Sequence, residues 1–290
     1  MNIQKSFEDE SSGALYIVPT PIGNLEDITV RALNILKKAD VIAAEDTRNT
    51  KKLLNHFEIH TPLISYHEHN KQARENQLLE RIASGETVAL VSDAGMPAIS
   101  DPGYEIAEAA IASNERVVVL PGANAALCAL VGSGLQTGEF HFYGFLPRKK
   151  KDRKEELNRL KPMKATLIFY ESPHRIKETL KSIHEEFGTR KAAIARELTK
   201  RFEEFVRGTT EELVGWTENN ELRGEFVLVV EGNGSDSNGE EVLWWEELTV
   251  KDHVVFYIEE KGLSSKEAIK LVAAERKIPK RDVYEIYHIK

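Results

Sequence analysis

The sequence predicts an α/β protein: two α/β units followed by a small helical module. Three observations predict it. Short apolar runs rich in β-branched residues alternate with amphipathic stretches at helical spacing. Five of these runs end abruptly in polar, Gly- or Pro-rich loops. After residue 123 the strand–helix alternation starts again with a different texture, and after a Gly/Ser/Asn segment only helical patterns remain.

The pattern is clearest at Glu86–Gly103, ETVALVSDAGMPAISDPG. Thr87–Val91 is a run suited to a strand buried on both faces. It stops at Ser92-Asp93-Ala94-Gly95, a hydroxyl, a carboxylate and a glycine at the point where the backbone leaves the sheet. Open α/β sheets bind ligands outside the carboxyl ends of their strands. Gly95 lets a ligand approach the backbone closely, and Pro97 and Pro102 stiffen the loop.

In chain order, Leu15–Val18 is a strand ending at PTPIGN. Asp27 is placed to cap a helix that carries Ile28, Ala32, Ile35, Leu36 and Ala39. Val41–Ala44 returns as a strand and ends at EDTRNT, which makes a βαβ unit and a parallel pair. A helix around Lys51–Phe57 leads to a strand at Pro62–Tyr66 ending in HEHN. A helix around Gln72–Ser84 precedes the central strand, and Tyr104–Ser113 is helical. Val117–Leu120 is a strand that ends at PGAN. In a parallel sheet all five polar loops lie along one edge.

The second unit is predicted to follow a small-residue helix at Ala123–Gly132. Its strands are expected at Phe140–Phe145, Ala165–Tyr170, Lys191–Arg196, Glu203–Arg207 and Glu225–Glu231. Helices are expected around Lys150–Leu160, Ile176–Phe187 and Thr210–Glu218. The short link RELTKRFEE implies an antiparallel hairpin, so this sheet is mixed. The resulting division is a disordered tail at 1–12, α/β domains at 13–122 and 123–232, a linker at 233–240 and a helical domain at 241–290. In the last, Ser264 caps one helix and Pro279 opens another. A helix-turn-helix and a simple packing lid fit these two helices equally well.

Composition excludes several classes. A single cysteine, Cys128 in an apolar stretch, excludes a disulfide framework and favours the cytoplasm. No apolar run approaches the roughly 20 residues of a membrane helix, and the first residues lack the apolar core of a signal peptide. A net charge of −8 argues against binding nucleic acid over the whole surface. It leaves room for a local basic patch, and Arg148–Lys154 is the densest one.

Neither a dinucleotide fingerprint nor a P-loop follows any strand. His67-Glu68-His69 invites a metal, yet no third and fourth ligand accompanies it, so no metal is expected. Ser92 and Ser100 lack a nucleophile elbow.

The segments LYIVPTPIGNLEDITVRAL, AEDTR, SYHEHN, VSDAGMPAISDPG, PGANAAL, YESPHR and ARELTK stand in an order and spacing that resemble the tetrapyrrole methylase superfamily. More narrowly, they resemble its branch of small-subunit rRNA (cytidine-2′-O)-methyltransferases. The resemblance spans about Gly13 to Gly232. It implies two α/β domains with S-adenosylmethionine in the cleft between them, and a homodimer. It further implies metal-independent methyl transfer to a cytidine ribose in the decoding region of 16S rRNA, on free RNA or an assembled small subunit. Tetrapyrrole-acting relatives carry glycine-aspartate-proline where this chain has Ser92-Asp93-Ala94-Gly95, a departure that supports the RNA branch.

On that basis the cofactor-binding residues expected are Pro21, Asp93, Ala94, Gly95, Asn124, Ala125, Glu171 and Leu198. Asp93 offers a carboxylate to the positive charge or a ribose hydroxyl, and the backbone at Ala94, Gly95 and Asn124 reads the adenine and the tail. A ribose hydroxyl is a poor nucleophile, so some group must take its proton. Glu45, Glu197 and Lys200 are the first candidates, with Asp46 and Glu171 behind them; Lys200 qualifies only if its pKa is lowered. Arg48, Arg175, Arg196, Lys149, Lys150 and Lys151 are the expected phosphate contacts. Two other readings stay open: methylation of a tetrapyrrole or other small molecule, and a noncatalytic RNA- or ligand-binding module.

Overall fold

The computed structural model describes residues 3–6, 13–234, 245, 248–276 and 278–288. Most of the expected disordered tail, all but residues 3–6, and most of the expected linker lie outside the described residues. The chain divides into two compact units, one up to Asn233 and one from Gly234 onward.

The first unit contains two five-stranded sheets. The first sheet is built from β1 (Ala14–Ile17), β2 (Val41–Ala44), β3 (Leu63–Ser65), β4 (Thr87–Val91) and β5 (Arg116–Val119). All pairings are parallel and the order is β3-β2-β4-β1-β5. The apolar run at Thr87–Val91 is therefore central, and its side chains are buried from Val88 onward.

Helices cover both faces, as parallel strands with two apolar faces require. Ala32 and Leu36 of α1 (Val30–Lys38) and Leu54 of α2 (Thr47–His56) pack on one face. Leu78 and Ile82 of α3 (Lys71–Ala83) and Ile106 and Ala110 of α4 (Tyr104–Ala112) pack on the other. Asp27 does not cap α1. Residues Leu25–Asp27 form a short 3-10 turn, and the Thr29 hydroxyl accepts from the Ala32 amide at 3.0 Å instead. The edge of β5 is closed by Gln4, whose side-chain amide donates to Val117 O at 2.7 Å and accepts from Val117 N at 2.8 Å. That substitutes for a neighbouring strand.

The second sheet is mixed: β6 (Phe140–Phe145), β7 (Thr166–Glu171), β8 (Lys191–Arg196), β9 (Glu204–Thr209) and β10 (Phe226–Val230), in the order β6-β7-β10-β8-β9. Only β6 and β7 run parallel. The small-residue helix α5 (Ala125–Ser133) packs on one face through Ala126, Ala129 and Leu130. On the other face lie α6 (Lys150–Leu160), α7 (Ile176–Phe187) and α8 (Thr210–Asn219), through Leu157, Leu180 and Leu213 among others. Ile22, from the loop after β1, belongs to the second sheet's core with Leu198 and Val227. The two halves of this unit therefore share packing.

The second unit holds three helices among its described residues: α9 (Val250–Glu259), α10 (Ser265–Glu275) and α11 (Lys280–His288). Ser264 and Glu267 form the expected capping box. The sequence reading placed a helical domain here without delimiting α9, whose run of Val, Ile, Phe and Tyr carries a strand preference. The Thr249 cap, whose hydroxyl accepts from the Asp252 amide at 3.1 Å, and burial of Val254 against α10 override that preference.

The basic run is not uniform. Lys149, Lys150 and Lys151 are exposed at the start of α6, but Arg153 on the same helix is only 1 % exposed. Its guanidinium donates to Ser182 Oγ at 3.0 Å, to Glu178 Oε1 on α7, and to Arg148 O at 3.3 Å. Arg153 is a clamp between helices, not a phosphate contact. Arg153→Ala should lower unfolding free energy by about 2 kcal/mol, through the lost packing of a buried side chain and the lost hydrogen bonds to Ser182 and Arg148 O, while Lys151→Ala should change it by less than about 0.5 kcal/mol. Urea denaturation of both variants checks this, and equal effects would contradict the clamp.

Candidate active site

The first sheet delivers its polar loops to one edge, and a cavity of about 300 Å³ opens there against the second sheet. One wall comes from the loop after β4 (Ala94, Gly95, Met96, Ile99, Ser100, Asp101) and from Ile22. The other comes from Phe145, Tyr170–Pro173 and Gly224–Val227, with Asn124 and Ala125 between them. The lining is mostly apolar with a few polar groups, as in small-molecule sites generally.

Two local devices shape the cavity. Outside the sheet, Thr20 and Gly95 form a two-bond antiparallel bridge, Thr20 N to Gly95 O at 2.9 Å and Gly95 N to Thr20 O at 3.0 Å. Gly95 has φ +80, and a Cβ there would meet Ile22 Cγ2 at 3.2 Å. Across the cleft, β6 bulges between Phe142 and Gly144, and Gly144 has φ +81. A Cβ at Gly144 would stand 3.1 Å from Ser100 Oγ. The loop carrying Asp101 thus passes close to the second sheet, and it holds two non-glycine residues in the left-handed region, Ala98 at φ 68 and Ser100 at φ 65.

Of the residues expected to hold the cofactor, Ala94, Gly95, Asn124, Ala125 and Glu171 line this cavity. Asn124 also caps α5, its side chain accepting from Leu127 N at 3.1 Å. Glu171 has no exposed side-chain surface. Its carboxylate accepts from the Ser172 amide at 2.8 Å and the Thr179 hydroxyl at 2.6 Å, and it lies 3.5 Å from Arg175. Pro21 and Asp93 line a neighbouring cavity of about 250 Å³ with Asn49, Lys52 and Leu53. Asp93 accepts from the Asp46 amide and from Asn49 Nδ2, each at 3.1 Å. Leu198 is 7 % exposed and sits in the core beside Ile22.

The proton-acceptor candidates separate by environment. Lys200 donates to Glu197 and to Glu225, both at 2.9 Å. Burial works to lower its pKa, but the two carboxylates raise it overall, so Lys200 lacks the lowered pKa that a base needs. Burial likewise works to raise Glu197, yet Lys200 and the Glu225 amide hold it below the ordinary carboxylate value. This ion pair lies within one loop, and both of its members also bind Glu225 from the loop before β10. Asp46 caps α2 and is held at about 2 by Arg48.

Glu45 behaves differently. Burial first, then the charge of Asp93, raise its pKa. Asp101 was not among the residues singled out from the sequence, and its carboxyl is strongly displaced. Burial, then Glu45, then Asp93 push it up to about 6, opposed by the Ser92 hydroxyl. Tyr170, also in the cavity wall, is raised by burial and further by the Asp101 charge.

Among the expected phosphate contacts, Arg48 is 86 % exposed beside Asp46. Lys149, Lys150 and Lys151 are exposed. Arg175 and Arg196 are not free: Arg175 donates to Leu146 O at 2.7 Å, and Arg196 donates to Glu221 O at 3.2 Å and pairs with Glu204. Among the described residues no group of three or more His, Cys, Asp or Glu side chains has metal-holding geometry.

Residues 14–214 match the family model of Tetrapyrrole (Corrin/Porphyrin) Methylases, and the chain belongs to that family. It is 56 % identical over 288 residues to a protein of Bacillus subtilis (strain 168) named Ribosomal RNA small subunit methyltransferase I, covering 99 % of this chain and 98 % of that one. It is 57 % identical to the protein of the same name in Halalkalibacterium halodurans, covering 99 % of each. Among solved structures, cobalt precorrin-4 methyltransferase CbiF superposes with a TM-score of 0.59 at 19 % identity, covering 77 % of this chain and 96 % of that one. Uroporphyrin-III-C-methyltransferase from Thermus thermophilus superposes with a TM-score of 0.54 at 24 % identity, covering 76 % and 94 %. At such identities these two establish the fold alone.

The methyl donor is S-adenosylmethionine. The cavity fits it: apolar walls suit the adenine and thioether, Ser100, Asp101 and Glu225 bring polar groups to the lining for the polar ends, and the position of a Cβ at Gly95 falls against the wall.

The raised Asp101 has a consequence for stability. Its ordinary pKa is 3.8 and its folded value about 6. Between these values the folded state holds more protons than the unfolded one, so stability falls as pH rises through the window. Asp101→Asn should therefore melt above the parent protein at pH 7, and the difference should vanish near pH 3, below the unfolded carboxyl's own pKa. Thermal melts at the two pH values check this. An equal difference at both would contradict it.

Proposed function

We propose that this chain transfers a methyl group from S-adenosylmethionine to the 2′-hydroxyl of a cytidine in the decoding region of 16S rRNA, acting as a cytoplasmic homodimer. The observation that carries the RNA substrate is identity of 56 % along nearly the whole length to a relative named for small-subunit ribosomal RNA. The aligned length covers 99 % of this chain, well beyond the cofactor cavity and into the second unit. The Ser92-Asp93-Ala94-Gly95 loop, in place of glycine-aspartate-proline, supports the same branch.

S-adenosylmethionine supplies an electrophilic methyl carbon. Ala94, Gly95, Asn124 and Ala125 would hold it, with Phe145 and Tyr170 excluding water from the opposite wall. In-line displacement at carbon needs alignment above all, so a cavity pinned from both sheets contributes by positioning. Arg48, Lys149, Lys150 and Lys151 are the cations left to meet phosphates. Leu127 and Val131, one turn apart on α5, are 48 % and 73 % exposed, and this apolar face supports a dimer. Among the described residues no helix is long and apolar enough to cross a membrane.

Transfer of a labelled methyl group to small subunits, free rRNA and a porphyrinoid tests the reading. Label should enter RNA and survive in an alkali-resistant dinucleotide, because a 2′-O-methyl group blocks cleavage there. Label in the porphyrinoid alone, or in an alkali-labile RNA product, would overturn it.

A further inference from the structure

We propose that Asp101 is the group that takes the proton from the ribose hydroxyl, an inference that rests on the ribose-methylation reading above. Geometry selects it. Asp101 lines the cofactor cavity directly, on the same loop as Ala94 and Gly95 and facing Tyr170 of the second sheet. The other carboxylates around the cleft are committed elsewhere. Asp46 caps a helix and binds Arg48, and Asp93 accepts two hydrogen bonds outside this cavity. Glu171 has three partners, and Glu197 and Glu225, the latter also in the cavity wall, both hold Lys200. Glu45 remains, but it does not line the cavity.

The groups facing Asp101 are Glu45 from the end of β2, Asp93 and the Ser92 hydroxyl from the end of β4, and the Tyr170 phenol of β7. None is a cation. Two negative neighbours and burial make the carboxylate avid for a proton, which a base near neutral pH requires. The left-handed residues Ala98 and Ser100 and the close approach of Ser100 to Gly144 fix the loop's course into the cleft.

The step balances. The ribose oxygen forms a bond to the methyl carbon as the sulfur–carbon bond breaks. The hydroxyl proton passes to an Asp101 carboxylate oxygen, and the sulfur departs as a neutral thioether. The positive charge that entered with the donor leaves as the proton that Asp101 later gives to water. Glu45 is a positioning residue here: its charge sets how tightly Asp101 holds that proton.

The test compares the parent protein, Asp101→Asn and Glu45→Gln, all full length, in single-turnover methylation of small subunits across pH. The parent rate should fall on the acid side with a midpoint at about 6, or lower once the cationic donor is bound. Asp101→Asn should slow transfer about 10²- to 10⁴-fold, the usual worth of a positioned base, and abolish that acid limb. Glu45→Gln should move the limb to lower pH, since a negative neighbour is gone. Two readouts do not depend on turnover. Calorimetry should show S-adenosylhomocysteine, which lacks the sulfonium charge, binding Asp101→Asn within about threefold of the parent. Infrared titration should show a carboxyl that ionises near 6 in the parent and is missing from Asp101→Asn.

An Asp101→Asn protein that keeps the parent's rate and acid limb overturns the assignment. So does one that loses S-adenosylhomocysteine affinity about tenfold or more yet transfers normally at saturating donor, which would make Asp101 a cofactor ligand. Abolition of activity at every pH by Glu45→Gln, with Asp101→Asn active, would give the role to Glu45. If the parent methylates RNA at a base atom, the substrate reading falls and the Asp101 step falls with it. That outcome is distinct from a parent that methylates ribose beside an equally active Asp101→Asn.

Discussion

The two hydrogen bonds between Thr20 and Gly95 hold the site together. They join the loop after β1 to the loop after β4, at the point where both strands have left the sheet. The Thr20 hydroxyl adds a bond to Ser92 O at 3.2 Å. With these loops tied, Ile22 is carried into the core of the second sheet beside Leu198 and Val227. The same tie holds Gly95 at the cavity wall. The cleft therefore has a fixed floor, and one short loop pairing links the packing of both sheets to the site.

An electrostatic consequence follows from the strand order. Because β2 and β4 are neighbours, Glu45 and Asp93 leave the sheet side by side, and the loop from β4 returns Asp101 to them. Three carboxyls then share one edge with little counter-charge. The acidity repels phosphates from the floor of the cleft and raises the proton affinity of Glu45 and Asp101. Under the proposed function, RNA contacts would fall mainly to the exposed Lys149, Lys150 and Lys151 at the start of α6, whereas Arg48 is bound by Asp46 beside that acidic edge. An acidic protein can bind a polyanion when its charges are separated in this way.

Much of the fold was legible in the sequence, because buried parallel strands and amphipathic helices write their periods directly. Val41–Ala44, Thr87–Val91, Phe140–Phe145 and Lys191–Arg196 were read at their observed boundaries. The α9 helix falls in the region read as helical, but its bounds were not given, since its β-branched and aromatic residues carry a strand preference that tertiary packing overrules. Within the site, Ala94, Gly95, Asn124, Ala125 and Glu171 could be read as cleft residues from their places at strand ends. Asp101 could not. In sequence it is the middle of an ordinary Ser-Asp-Pro-Gly turn, and only the strand order shows that Glu45 and Asp93 stand beside it. The signal available was its place in the segment after the central strand, two residues past Ile99. Lys200, a base candidate only with a lowered pKa, and Arg153, part of the basic run, are each bound by a carboxylate 25 residues distant, Glu225 and Glu178 respectively, and only the fold shows this.

The central claim is that the cavity floored by the Thr20–Gly95 bridge holds the methyl donor. Calorimetric titration of S-adenosylmethionine into Gly95→Ala tests it most directly. A Cβ at φ +80 and 3.2 Å from Ile22 strains the bridge and crowds the wall. Affinity should fall about tenfold or more, corresponding to the 1–2 kcal/mol of a left-handed non-glycine residue, with the circular dichroism of the folded protein retained. Undiminished affinity in a folded Gly95→Ala protein would place the donor elsewhere.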